Sequence, residues 1–140
     1  MNIRIQESCE NIDWQKISNS LKKVGMAHHE PELHQKAFLN SYSVVFIFDS
    51  DQLIGFGRAI SDGAYQAAIY DIVVLPEYQK QGIGRLIMER IFQKISNCNT
   101  ILYVNPGREE FYSKFGFRLM KTGMALFLQP IIMKDKGMIQ

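Results

Sequence analysis

The segment Gln79-Lys80-Gln81-Gly82-Ile83-Gly84-Arg85 sets two glycines, two amides and two basic side chains where an apolar run gives way to helical periodicity. The first turn of a helix has backbone N–H groups without intrahelical partners, and the helix dipole adds partial positive charge there. Glycines remove the Cβ atoms that would keep an anion at a distance, while Lys80 and Arg85 bring mobile positive charge. Such a segment can cradle a phosphate or pyrophosphate. No Gly-x-Gly-x-x-Gly follows the first strand, so a dinucleotide site is unsupported, and no Gly-Lys-Ser/Thr marks a triphosphate loop. On Gly82 and Gly84 alone, a plain turn and an anion cradle stand as equal readings.

Other residues have types suited to chemistry. Asp71 interrupts the apolar run from Ala67 to Val74. A carboxylate among apolar residues is costly unless paired. Asp71 therefore has either a structural hydrogen-bond partner or a part in binding or deprotonating a substrate. Tyr112 is a phenol that stays protonated at neutral pH and can donate a proton; packing between helix and sheet is the plainer reading, and it suffices for Phe111, Phe115 and Phe117. Histidine is a residue type suited to a general base, which makes His28 and His29 candidates, although loop histidines are commonly inert. Glu109 and Glu110 sit at a helix start, where acidic residues offset the dipole. Cys9 and Cys98 match no metal or redox spacing and read as thiols in a reducing compartment; no metal site is expected.

The elements that position these residues follow from periodicity. Residues 2–7 alternate as a short strand. Asp13 can cap a helix carrying Trp14, Ile17, Leu21 and Val24 at helical spacing, ended by Gly25. A second helix has Pro31 in its first turn and Leu33, Ala37 and Phe38 facing inward. Strands over Tyr42–Phe48, Leu53–Ile60 and about Tyr65–Leu75 are joined by short turns, an antiparallel meander. Pro76 closes the last of them. A helix with an apolar stripe at Ile83, Leu86, Ile87, Ile91 and Ile95 follows, then a strand over Ile101–Val104 and a helix over Arg108–Lys114 stopped near Gly116. Phe117–Leu119 and Met124–Leu128 are expected as a closing strand pair. The order β-α-α-β-β-β-α-β-α-β-β describes an α+β fold, a mostly antiparallel mixed sheet flanked by helices. At 140 residues the chain has the size of one domain, 1–140, with a core over about 2–128 and a loosely constrained tail over 129–140.

A net charge of +2 gives no footprint for nucleic acid or a membrane surface. The N-terminus does not read as a signal peptide and no apolar run reaches spanning length, so the expected location is cytoplasmic.

Gln79-x-x-Gly82-x-Gly84 after Val-Val-Leu-Pro resembles the acetyl-CoA signature of the GNAT superfamily of N-acetyltransferases, Arg/Gln-x-x-Gly-x-Gly/Ala. The run Phe111-Tyr112-Ser113-Lys114-Phe115-Gly116-Phe117 is similar to the family's Phe-Tyr-x-x-x-Gly-Phe, and Asn105 stands seven residues before Tyr112, where many members carry an asparagine that contacts the cofactor. The resemblance extends over roughly residues 2–128. It implies a GNAT-like acyl-CoA N-acyltransferase fold and an acetyl-CoA-dependent transfer to a primary amine by direct attack on the thioester. It implies that Gln79, Lys80, Gln81, Gly82, Ile83, Gly84 and Arg85 grip the pyrophosphate. The strand Ile72-Val73-Val74 then splays from its neighbour, and a backbone N–H of Val73 or Val74 polarises the thioester carbonyl. Tyr112 becomes the acid for the leaving thiolate. Some members place a glutamate on the strand before Asn105, but Thr100-Ile101-Leu102-Tyr103-Val104 holds no carboxylate. Asp71 is the first alternative, and the loop with His28 and His29 borders the family's acceptor site.

Two other functions stay open: a non-catalytic acyl-CoA-binding or protein-interaction module of the same fold, and a nucleotide-binding regulator. The acceptor is a small-molecule or protein amine, with a lean to a small molecule, and the resemblance is compatible with a homodimer.

Overall fold

The computed structural model describes residues 1–140. Strands β1 (Ile3–Gln6), β2 (Ser43–Asp49), β3 (Gln52–Ser61), β4 (Gln66–Val74) and β5 (Asn99–Ile101) form one sheet in that spatial order. The first four pair antiparallel, joined where β2, β3 and β4 follow one another by short turns. β4 and β5 are parallel, so the chain must cross over between them, and helix α3 (Ile83–Ile95) does so. Val45, Phe46 and Ile47 are fully buried in succession, as expected of a strand covered on both faces.

Helices α1 (Trp14–Lys23) and α2 (Pro31–Leu39) cover one face. The Asp13 carboxylate accepts from the Gln15 and Lys16 N–H groups and so starts α1. Ile17 and Leu21, one turn apart, pack with Phe38 of α2 and with Phe46, Phe56 and Val73 of the sheet. Alternation places Gly55 and Gly57 on the opposite face from Phe56, and there α3 lies against the strands: Ile83 and Ile87 approach Gly55, and Ile87 and Ile91 approach Gly57.

The observed order agrees with the sequence reading through the fourth helix, with four differences. Leu33 does not face inward: it is 51% exposed, and His34 takes the buried position one turn before Phe38. The strand expected over Ile101–Val104 begins earlier and ends at Ile101, because its pairing is confined to Ala67, Ala68 and Gln66 of β4. The closing strands over 117–119 and 124–128 are not formed; Leu119, Met124, Leu126 and Leu128 are exposed, and no ladder pairs these segments. Finally, residues 130–135 are a helix, α5 (Pro130–Asp135), rather than loose tail. Pro130 presets its first turn, and the Gly137 and Met138 N–H groups close its last on the Lys134 and Met133 carbonyls.

The chain groups into two compact units, Met1–Leu102 and Tyr103–Gln140. The second contains α4 (Glu109–Ser113) and α5, with ring contacts between Tyr103 and Phe127 and among Phe111, Tyr112, Phe115 and Phe117. No helix is long and apolar enough to cross a membrane.

Candidate functional site

β4 is paired on both sides only at its start. β5 matches Gln66, Ala67 and Ala68, and its ladder stops there. From Ile69 to Val74 the strand is paired with β3 alone. The Leu75 N–H donates to the Ile54 carbonyl on β3, so alternation turns the Val73 N–H toward β3 and the Val74 N–H toward the open edge, with Ile72 on that same edge. The expectation that either Val73 or Val74 offers a free N–H is thereby narrowed to Val74, joined by Ile72.

The same stretch contains a bulge. Phe56 opposes Val73 and Arg58 opposes Tyr70, so Gly57 alone faces both Asp71 and Ile72. Asp71 takes a left-handed backbone, φ +58°. Its carboxylate has the partner that its burial calls for: Arg58 Nε donates to Asp71 Oδ2 at 2.7 Å. Neither Gly57 nor Arg58 stands out by type in the sequence reading. Their only signal is Gly-Phe-Gly-Arg inside an otherwise apolar strand, which marks a close backbone approach.

Beyond β4 the chain makes a 3₁₀ turn over Pro76–Tyr78 and enters α3. This turn is pinned from outside by Lys23 Nζ to Glu77 (3.0 Å) and by Tyr78 Oη donating to Asp49 (2.8 Å). Gln79 Nε2 donates to the Val74 carbonyl and Gln81 Nε2 to the Glu77 carbonyl, so both amides brace the loop through its backbone. Lys80 (φ +63°) and Gly82 (φ +88°) are left-handed, and Gly82 is the N-cap of α3 with no side chain capping it. The first intrahelical bond is Leu86 N–H to the Gly82 carbonyl, leaving the N–H groups of Ile83, Gly84 and Arg85 at the helix start. A Cβ at Gly82 would meet nothing within 4 Å, so the space beside this N-terminus is open. Lys80 and Arg85 are exposed beside it, Arg85 loosely paired with Glu89 at 3.7 Å. These residues fit a pyrophosphate: donors, a helix dipole and room.

The α1–α2 loop borders a cleft of about 320 Å³ lined by Ser18, Asn19, Lys22, His28, His29 and Glu30. His28 and His29 are exposed. The buried His34 holds this loop, its Nε2 accepting from the His29 N–H at 2.8 Å, while Ser18 donates to the His29 carbonyl. Burial pushes the His34 pKa down; the Asp71 carboxylate opposes this, and His29, Arg58 and His28 reinforce it. The sequence reading missed His34, because a lone histidine in an amphipathic helix gives no sign of its partner.

Asn105 and Tyr112 belong to the second unit. Asn105 is exposed, and its carbonyl accepts from Arg108. Tyr112 lies edge-on to Phe111 and Phe117, and burial pushes its phenol up to about 12, only partly opposed by the Arg108 guanidinium. At neutral pH it keeps its proton.

The acetyltransferase (GNAT) domain family matches residues 40–119, more than half of the chain. The chain belongs to the GNAT superfamily of acetyltransferases. It is 32% identical over 131 residues to an uncharacterized N-acetyltransferase, ycf52, of Gracilaria tenuistipitata var. liui, covering 91% of this chain and 68% of that one. A serotonin N-acetyltransferase of rice, chloroplastic, is 29% identical over 82% of this chain and 61% of its own length. The chain thus spans about two thirds of these relatives. Among solved structures, a probable acetyltransferase of unknown function from meticillin-resistant Staphylococcus aureus superposes with a TM-score of 0.80 at 30% identity, over 89% of this chain and 98% of that one. That structure shares the α+β architecture described above.

Proposed function

We propose that the chain, as one domain with its core over about residues 2–128, is an acetyl-CoA-dependent N-acetyltransferase acting on a primary amine. The observation that carries this reading is the open edge of β4 leading directly into the uncapped, glycine-bounded start of α3. Donors at residues 82–85 hold the pyrophosphate, with Lys80 and Arg85 adding charge. The Val74 or Ile72 N–H polarises the thioester carbonyl, and Asn105 contributes to cofactor binding as the family motif implies. Acetyl-CoA supplies the activated acyl group. The amine lone pair forms the C–N bond, the C–S bond breaks, and Tyr112 gives its proton to the thiolate; the amine's proton leaves to water, and solvent reprotonates Tyr112. Preorganised N–H donors aimed at the developing oxyanion are the largest contribution such a site can make. A small-molecule acceptor suits the cleft beside His28 and His29.

Thiol release from acetyl-CoA, measured across a panel of primary amines, tests the reading. Wild-type protein is expected to turn over with at least one amine, and Tyr112→Phe to lower kcat by about a hundredfold while still binding CoA. Tight CoA binding with no amine acetylated would make the chain a binding module instead.

A further inference from the structure

The bulge in β4 is strained and heavily supported. Left-handed backbone is costly for residues with a Cβ, least so for Asp and Asn. It persists only where the surroundings over-determine it. At Asp71 they do. The ion pair to Arg58 is mostly out of solvent, the two side chains 14% and 21% exposed. Arg58 is itself held, its guanidinium 5.6 Å from the Phe38 ring centroid and 5.3 Å from that of Tyr70, with Nη1 3.4 Å from Ser41 Oγ. On the opposite face of the sheet, the missing side chain at Gly57 leaves room that Ile72 fills; any Cβ there would collide with the Ile72 side chain and press on Ile87. The residue following Asp71 is the first of the two whose N–H groups lie on the open edge.

We infer that Arg58 and Asp71 are positioning residues for acyl transfer: their ion pair holds the left-handed bulge and thereby sets the direction of the Ile72 and Val74 N–H groups, with Gly57 giving the bulge its space. The inference rests on the proposed use of that edge for the thioester. Asp71 acts through backbone geometry, and its carboxylate is engaged by Arg58 rather than available as a base for the amine. Misplacing a catalytic donor by about 1 Å can cost two orders of magnitude in rate, so a clamp of this kind reports in kcat.

Three substitutions at Asp71 separate backbone from charge. Asp71→Asn keeps the left-handed preference and an oxygen for Arg58; Asp71→Gly keeps only the backbone freedom; Asp71→Ala keeps neither. The expected order of kcat is wild type, Asn, Gly, Ala, with Asn within about threefold and Ala lower by about thirtyfold or more. Arg58→Gln should resemble Asp71→Gly, with partial recovery in Arg58→Lys. The shape of the pH profile should not change along the series. Asn falling as far as Ala, with one limb of the profile lost, would make the carboxylate a base and overturn the inference. So would Asp71→Ala at wild-type kcat with only a lowered Tm. Hydrogen exchange of the Val73 amide, which faces β3 beside the bulge, provides a readout independent of activity: faster in Asp71→Ala and Arg58→Gln, unchanged in Asp71→Asn. If wild-type protein releases no thiol, the proposed reaction fails while exchange still decides the clamp. Unaltered exchange in Arg58→Gln, the variant to use should Asp71→Ala not fold, would overturn it.

Discussion

The two halves of β4 are built from similar residues and behave differently. Ala67 and Ala68 are gripped by β3 on one side and β5 on the other, whereas Ile69–Val74 is held by β3 alone and carries a bulge. The first half anchors the crossover through α3, and its backbone groups are consumed by the ladders. The second half keeps the Ile72 and Val74 N–H groups outside any ladder, next to a helix N-terminus that is also uncapped. An unpaired edge is a liability in a sheet unless something covers or uses it. Here the open edge and the helix start are consecutive in the chain, so one extended ligand with a polar arm and an anionic end can engage both.

The sharpest way to test this contrast is proline at each half. Ala68→Pro removes a ladder bond from a strand paired on both sides and should destabilise the fold by about 3 kcal/mol or more, read by urea denaturation. Val74→Pro removes an N–H that faces the open edge, so it should leave Tm little changed while lowering amine-dependent thiol release by about a hundredfold. Equal unfolding by both would mean that the two halves are not distinct.

A second, smaller effect separates the helix start from the strand edge. Gly82→Ala places a Cβ in open space but on a left-handed backbone, at a cost of about 1 kcal/mol. Affinity for CoA, by calorimetry, should fall by about tenfold as the cradle distorts, with kcat less affected than for Val74→Pro.

How legible the site was depended on whether its signal was local. The Gln79–Gly84 turn, the Asp13 cap and the Gly116 stop are short-range patterns, and each appears where sequence spacing placed it. The free edge of β4 was legible only through family resemblance, and resemblance left its parity unsettled between Val73 and Val74; the Leu75–Ile54 bond settles it. The Arg58–Asp71 clamp depends on cross-strand register with a one-residue offset, which no pattern within either strand encodes. Asp71 itself was conspicuous because a carboxylate in an apolar run demands a partner, but the partner lies 13 residues away on the neighbouring strand. Leu33 and His34 exchange the expected roles because a hydrogen bond to the His29 N–H satisfies the buried ring. The closing strands expected over 117–119 and 124–128 find no neighbour to pair with in the five-stranded sheet.

The smallest expected effect concerns that histidine and the α1–α2 loop. Its pKa is lowered in the folded chain from an ordinary 6.5, so the unfolded chain binds the proton first. The stability contributed by neutral His34 is therefore complete above pH 6.5 and is lost as pH falls through the lower folded value. Urea denaturation against pH should show this loss in wild-type protein and a shallower one in His34→Leu.

The central claim is that one acyl-CoA lies along residues 72–74 and over residues 82–85. Titrating acetyl-CoA into isotopically labelled protein, with backbone amide shifts followed residue by residue, tests it most directly. The account predicts saturable binding with the largest shifts at Ile72, Val74 and Gly82–Arg85, and little change at Gln66–Ala68. Saturable binding that leaves the amides of Ile72 and Val74 unmoved, or no binding at all, would contradict it.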